Sequence, residues 1–526
     1  MVVTDAGAPV AAQRAEANPG SRLFRNIAVL AGGQLVTWSL TLLWTLFVPR
    51  ALGPARMGEL TIAYAVTGVV SVAASLGIGT LMVKAIARDH QQVAPLMGSA
   101  LIVRAGFIVP SILAVALFSQ LGHFGREQTL LLWLATASMT IGFFTGTFQS
   151  AFQALERMQY LAYADVLNKA VVAFASIVLV LIGFRAVGIM GLGLVMSAVV
   201  LVLTIWWSRG KFGIEWGFDR ERIRFLVVGS MPYWTNGLVL TFYMWIDSVM
   251  LSVMSGDVVV GWYAVATKVF TTLLFVPVIL GTALLPRLSA ASRDGADAIR
   301  QAGRPALELV LVLSVPVAAG AALVAQPFIA DIYGASFEPS TWVLVILALT
   351  LPATYFNIMA SQVLIAANRQ LDWTKVMVAA AVVNPLLNLV LIRYFQATQG
   401  NGAVGSALSL LATEIGMALV GLFLLPPMLD AKSILRLVRA VAATGGMGLV
   451  VWWMSGSGLI IETGAGVFSF AVLALAMRVL TADELALLRK TAAKMATRSA
   501  GRSGYGSRQY HGWDDVTGRP VGTYRR

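Results

Sequence analysis

Runs of about 20 apolar residues recur from residue 27 to residue 479, joined by connections too short to fold on their own. A helix rises 1.5 Å per residue, so ~20 residues cross the ~30 Å hydrocarbon core of a bilayer. Inside lipid, every backbone polar group must be paired within the protein. Runs of this length therefore span as helices rather than as the ~10-residue strands of a barrel. Fourteen spans are expected, near 27–48, 60–83, 97–119, 130–152, 161–183, 186–207, 225–252, 258–286, 307–331, 340–365, 373–395, 403–425, 435–457 and 458–479. Composition agrees: 58% of residues are hydrophobic and 12% charged, against roughly 25% charged in a soluble domain.

Loop charge sets the orientation. With the N-terminus placed in the cytoplasm, Arg22, Arg25, Lys84, Arg88, Arg209, Lys211, Arg287, Arg293, Arg369 and Lys432 all fall on the inner side. Arg50, Arg56, Arg126, Arg185 and Arg393 remain outside. The alternation persists to the last span, as the positive-inside rule requires for an even number of crossings with both termini cytoplasmic. It also accounts for the net charge of +13 without nucleic acid as a partner. The first residues lack the apolar core of a cleavable signal peptide. The N-tail (1–23) and the basic Gly-, Ser- and Tyr-rich C-tail (481–526) are expected to be disordered and cytoplasmic. The longest inner loop, 208–224, divides the first twelve spans into two sets of six, 24–207 and 225–428. A last pair of spans occupies 429–480. GELTIAYAV (58–66) and GWYAVATKV (261–269) are a faint internal repeat across that division.

Several enzyme classes are excluded. The chain has no cysteine and three histidines, His90, His123 and His511, in unrelated contexts. Thiol catalysis and a Cys- or His-based metal centre are therefore not expected. No HExxH, GxSxG or GxxxxGK[ST] motif occurs, so neither a cofactor nor direct ATP hydrolysis is expected. The outer loops are too short for a polysaccharide polymerase or ligase. What remains is an ATP-independent carrier.

Charges inside spans carry the rest of the reading, because each costs about 2.5–3.5 kcal/mol at the bilayer centre unless it faces protein, water or ligand. Arg104 lies in span three and Lys268 in span eight, neither with an acid at helical spacing. Both suit a water-filled lumen, which would select anions. Asp165 and Lys169 share one face of span five, where they either neutralise each other or line the same lumen. Asp247 lies deep in span seven and Asn236 earlier in the same span. Glu308 suits an interfacial position, and Arg393 can snorkel outward. Asn384 and Asn388 flank Pro385 and suit a kink whose freed backbone groups the amides satisfy. Tyr233, Trp234, Phe242, Tyr243 and Trp245 read as packing or interface aromatics.

The segments FRNIAVLAGGQLVTWSLTLLWTLFVPRALGPARMGELTIAYAV (24–66), QALERMQYLAYADVLNKA (153–170), the stretch from MPYWTNG through LLPRLSA (231–290) and ANRQLDWTKV (367–376) carry a family resemblance. The chain resembles the O-antigen-type flippases, the polysaccharide-synthesis branch of the multidrug/oligosaccharidyl-lipid/polysaccharide exporter superfamily. The resemblance implies an all-α fold of two six-helix lobes around a central cavity, with two extra C-terminal helices, working by alternating access in the bacterial cytoplasmic membrane. It implies a polyprenyl-diphosphate-linked oligosaccharide as substrate, with its headgroup in the cavity and its tail in the bilayer. Lys268 matches the family's basic site in span eight, and Arg25 lies near the cytoplasmic mouth. On this reading Arg104, Lys169 and Lys268 hold the anion, while Asp165 and Asp247 tune those cations or carry a coupling cation. Glycosyltransferases or a polymerase of the same pathway are possible partners. The alternatives are a cation-coupled multidrug exporter, which needs an acidic cavity, and a lipid II flippase.

Overall fold

The computed structural model describes residues 19–122 and 124–479. Among these the regular structure is helical, with no strand. The principal helices are α1 (Pro19–Ser75), α2 (Ile78–Arg88), α3 (Val93–Gly106), α4 (Ile108–Leu121), α5 (Arg126–Ala154), α6 (Met158–Leu181), α7 (Ala186–Ser208), α8 (Arg220–Met254), α9 (Asp257–Leu273), α10 (Phe275–Ala291), α11 (Ala296–Leu323), α12 (Ala325–Phe328), α13 (Ser340–Ala366), α14 (Gln370–Gln399), α15 (Gly402–Leu424), α16 (Ala431–Trp453) and α17 (Leu459–Ala476). Thirteen helical stretches among the described residues are long and apolar enough to cross a membrane. The first of them, Val36–Ser75, is broken at Gly53 (φ 76°, ψ 167°). The count of thirteen is close to the expected fourteen.

Helices α1–α7 form one lobe and α8–α15 the other. Within the first, α1 packs on α5 and α6, and α5 on α7. In the second, α13 packs on α11 and α15, and α14 on α15 and α8. The lobes meet where α1 crosses α9 and α8. One buried apolar core runs through this junction, from Val48, Leu52, Met57 and Leu60 to Val259, Val260 and Tyr263. Helices α16 and α17 lean on α11.

Three boundaries differ from the sequence reading. Residues 19–23 are helical, as part of α1, rather than tail. The inter-lobe connection is 209–219 rather than 208–224. The Asp219 carboxylate accepts from the backbone amides of Glu221 and Arg222 (2.9 and 3.2 Å) and starts α8 early. That connection is also pinned down: the Glu215 amide donates to the Ala94 carbonyl at the start of α3 (3.0 Å), and Arg222 bonds the Glu215 carboxylate (2.9 Å). Span nine was expected at 307–331, but its helix α11 ends at Leu323 and is followed by the short α12 and a π-helical turn, Ile329–Tyr333. The C-tail lies outside the described residues.

Candidate substrate cavity

Between the lobes is a cavity of about 200 Å³. Leu40, Thr41, Trp44 and Tyr64 of α1 wall it, with Asn168, Lys169 and Val172 of α6, Ile189 of α7 and Lys268 of α9. Two lysines from opposite lobes thus open into one space. Lys268 has no ion-pair partner among the described residues. Lys169 is held 3.3 Å from Asp165, one helical turn earlier on α6, as the i,i+4 spacing predicts. Asp165 also faces a second pocket, about 230 Å³, lined by Thr145 and Gln149 of α5, Asn168 of α6 and Ser197 of α7. Asn168 belongs to both walls. Tyr64, Gln149, Asn168 and Ser197 were not singled out from sequence, since uncharged polar residues are common in spans and only packing shows that four helices converge on them.

Arg104 lines neither space. It is 6% exposed, and its guanidinium donates to the Phe143 carbonyl of α5 at 2.5 Å. Glycines make room for it: a Cβ at Gly146 would lie 3.1 Å from Arg104 Nη1. The lumen expected from its lack of an i±4 partner is replaced by a contact with a bare stretch of helix backbone, which the sequence spacing along α3 cannot reveal.

Asp247 is likewise enclosed, 5% exposed within the second lobe. Tyr263 donates to it at 2.7 Å and Asn388 Nδ2 at 2.6 Å, and Asn388 also donates to Asn384 Oδ1 at 3.0 Å. The two asparagines therefore serve a buried carboxylate instead of a proline kink. Asn388 Oδ1 is buried without a partner. One turn from Asp247 on α8, Tyr243 donates to Glu414 (2.9 Å), which also accepts from Asn357 (2.8 Å). Both acids are thus bonded inside the lobe rather than displayed in the cavity. Asn236 lies on α8 and Arg25 on α1, and their side chains lie outside the described set. Glu308, read as interfacial, is the centre of an ion-pair group, bonded by Arg304 (2.6 Å), Ser433 (2.5 Å) and Arg436 (3.3 Å). It joins α11 to α16.

A groove of about 770 Å³ runs between α17 and the second lobe, lined almost wholly by apolar residues such as Leu313, Val317, Phe328, Val467 and Phe470.

The profile of a family described as polysaccharide biosynthesis protein matches residues 23–292, more than half of the chain. The chain belongs to that family. It is an exporter-superfamily flippase of the polysaccharide branch, and the MatE family also matches, over residues 232–392. A probable low-salt glycan biosynthesis flippase, Agl15 of Haloferax volcanii, is 23% identical over 381 residues, covering 69% of this chain and 75% of that protein. Among solved structures, lipid II flippase MurJ in an inward closed conformation superposes with a TM-score of 0.71 at 14% identity, over 86% of this chain and 99% of MurJ. An inward-facing MATE-family multidrug transporter gives 0.62 at 16% identity, over 77% and 95%. These likenesses establish the two-lobed transporter fold and a multi-pass membrane protein.

Proposed function

We propose that the chain moves a polyprenyl-diphosphate-linked oligosaccharide from the inner to the outer leaflet of a bacterial cytoplasmic membrane, with both of its termini in the cytoplasm. The observation that carries this is the shared cavity of Lys169 and Lys268, one from each lobe, with Lys268 in no ion pair among the described residues. A lumen lined by ammonium groups attracts a diphosphate and repels a cationic drug. The enclosed positions of Asp247 and Glu414 argue against the multidrug reading for the same reason. The adjoining pocket of Gln149, Asn168, Asp165 and Ser197 offers amide, carboxylate and hydroxyl groups to sugar hydroxyls, and the apolar groove beside α17 suits a polyprenyl tail. Asp247, with Tyr263 and the unpaired Asn388 Oδ1, supplies oxygen ligands for a monovalent coupling cation. A negative interior would add about 2.3 kcal/mol per charge per 100 mV to the outward movement of an anion.

The test is reconstitution into liposomes with three probes: a fluorescent polyprenyl-diphosphate glycan, its monophosphate counterpart and a lipophilic cationic dye. Preferential movement of the diphosphate supports the proposal. Preferential transport of the dye would replace it with the multidrug reading.

A further inference from the structure

The faint repeat between residues 58–66 and 261–269 has a geometric counterpart at the junction of the lobes. Gly53 and Gly256 stand at one constant offset along the chain. Each precedes a membrane helix segment, and they share nearly the same backbone conformation, φ 76°, ψ 167° and φ 84°, ψ 174°. That region is open essentially to glycine alone. Five residues on, at the same offset, are Gly58 and Gly261. A Cβ on Gly58 would overlap the carbonyl oxygen of Asp257 and stand 3.0 Å from the Gly261 amide nitrogen. A Cβ on Gly261 would overlap the carbonyl oxygen of Pro54 and stand 2.9 Å from its Cα. The contact is reciprocal: each glycine rests on the first-turn carbonyl of the other lobe's helix, at the position that repeats the one its own helix offers. Two bonds flank it. Gln128 of α5 donates to Asp257 (3.0 Å), and Arg50 of α1 donates to the Asp331 carbonyl of the second lobe (2.6 Å).

We propose that Gly58 and Gly261 form a two-fold interlock that closes the outer mouth of the cavity, and that the lobes part at this seam when the cavity opens outward. The inference rests on the alternating-access reading above. Backbone-to-backbone approach gives a close seal at the centre of the seam, and that closeness requires the absence of two Cβ atoms. The near-symmetry has a consequence that a simple packing role lacks: either glycine alone controls the whole seam, and the two are equivalent. A methyl group at either position forces the two helices apart and shifts the equilibrium toward the outward-open state.

The natural absence of cysteine makes accessibility a direct readout that needs no substrate. With Thr41→Cys as a reporter inside the cavity, intact cells are treated with a membrane-impermeant maleimide, and position 41 is read by peptide mass spectrometry. Gly58→Ala and Gly261→Ala are each expected to raise labelling about tenfold, equivalent to ~1.4 kcal/mol, and by similar factors. Gly416→Ala, where a Cβ meets nothing within 4 Å, should leave labelling unchanged. Unchanged labelling in both seam variants, or a rise in only one, overturns the interlock. Should the seam variants not accumulate, a second measurement decides with the native glycines in place. Gln128→Cys and Asp257→Cys are bridged by a short, reducible bifunctional thiol reagent. The bridge should protect position 41 from outside, and reduction should restore labelling. Equal labelling with the bridge in place refutes the proposal. None of these readouts involves glycan transport, so a failed flipping assay and a failed seam are separate results.

Discussion

Replacing Lys268 by alanine should cut diphosphate-glycan transport by about 10- to 150-fold. An ammonium and a phosphate oxygen ~4 Å apart attract by roughly 4 kcal/mol at an effective dielectric constant of 20. Lost hydration of both groups reduces the net value of a charged hydrogen bond to about 1.5–3 kcal/mol, which converts to the stated range. Lys268 should sit near the top of it because no carboxylate among the described residues pairs with it. Lys169, 3.3 Å from Asp165, has part of its field already spent, so Lys169→Ala should cost less. Asp165→Asn should then strengthen the dependence on Lys169, and the double variant should show coupling of the two sites. Lys268→Arg keeps the charge and should remain within a few-fold of the native rate. The assay is the initial rate at which a fluorescent diphosphate glycan in proteoliposomes becomes accessible to an external glycosidase, with the monophosphate analogue in parallel. Lys268→Ala transporting at the native rate, or losing equally with a neutral lipid, would show that the cavity cation does not read the diphosphate.

Asn388→Leu removes the 2.6 Å bond to Asp247 and should lower stability by about 1–3 kcal/mol, seen as a fall of several degrees in thermal unfolding in detergent; an unchanged midpoint would mean the carboxylate does not need the amide. Gly146→Ala crowds the Arg104 guanidinium at 3.1 Å and should cost about 1–3 kcal/mol, whereas the same change in an Arg104→Met background should cost less; equal losses would remove Arg104 from the surface of α5. Asp430, which caps α16, is held down to about 2 by the Ser433 amide and the Arg304 guanidinium. Its folded value lies below the unfolded ~3.9, so its contribution is complete at neutral pH and is lost as pH falls from about 4 through 2. Acid titration of hydrogen-exchange protection in residues 431–436 should show that loss in the native chain and not in Asp430→Asn; parallel curves would refute it.

The bilayer made much of the fold legible. Span length and the recurrence of apolar helices follow from solvation rules that act on local sequence, and the chain breaks where glycine and proline cluster, as at Gly53 and Pro54. The site was legible only where a charge reached open space. Lys268 has no acid at helical spacing on its own helix and no ion pair among the described residues, so its isolation in sequence is matched there in space. Arg104 shows the same isolation in sequence and a different outcome, because its partner is a backbone carbonyl thirty-nine residues on and a carbonyl leaves no mark in a sequence. Asn384 and Asn388 carried the signal of two amides on one helical face, but their carboxylate lies on α8. Asp219 ended the inter-lobe loop early through a cap that sequence alone does express, an aspartate before a charged helical turn.

The pinned connection between the lobes bears on which lobe the start of α8 belongs to. With Glu215 bonded to α3 and Arg222 bonded back to Glu215, the first turn of α8 is fastened to the first lobe although it belongs, in chain order, to the second. A tether of that kind leaves the connection little slack. Farther along α8, Pro232 lies within the helix, where the missing amide leaves one rung of its ladder unmade. The first turn of α8 thus goes structurally with the first lobe, and Pro232 marks the one interruption of the backbone ladder before the helix joins the second.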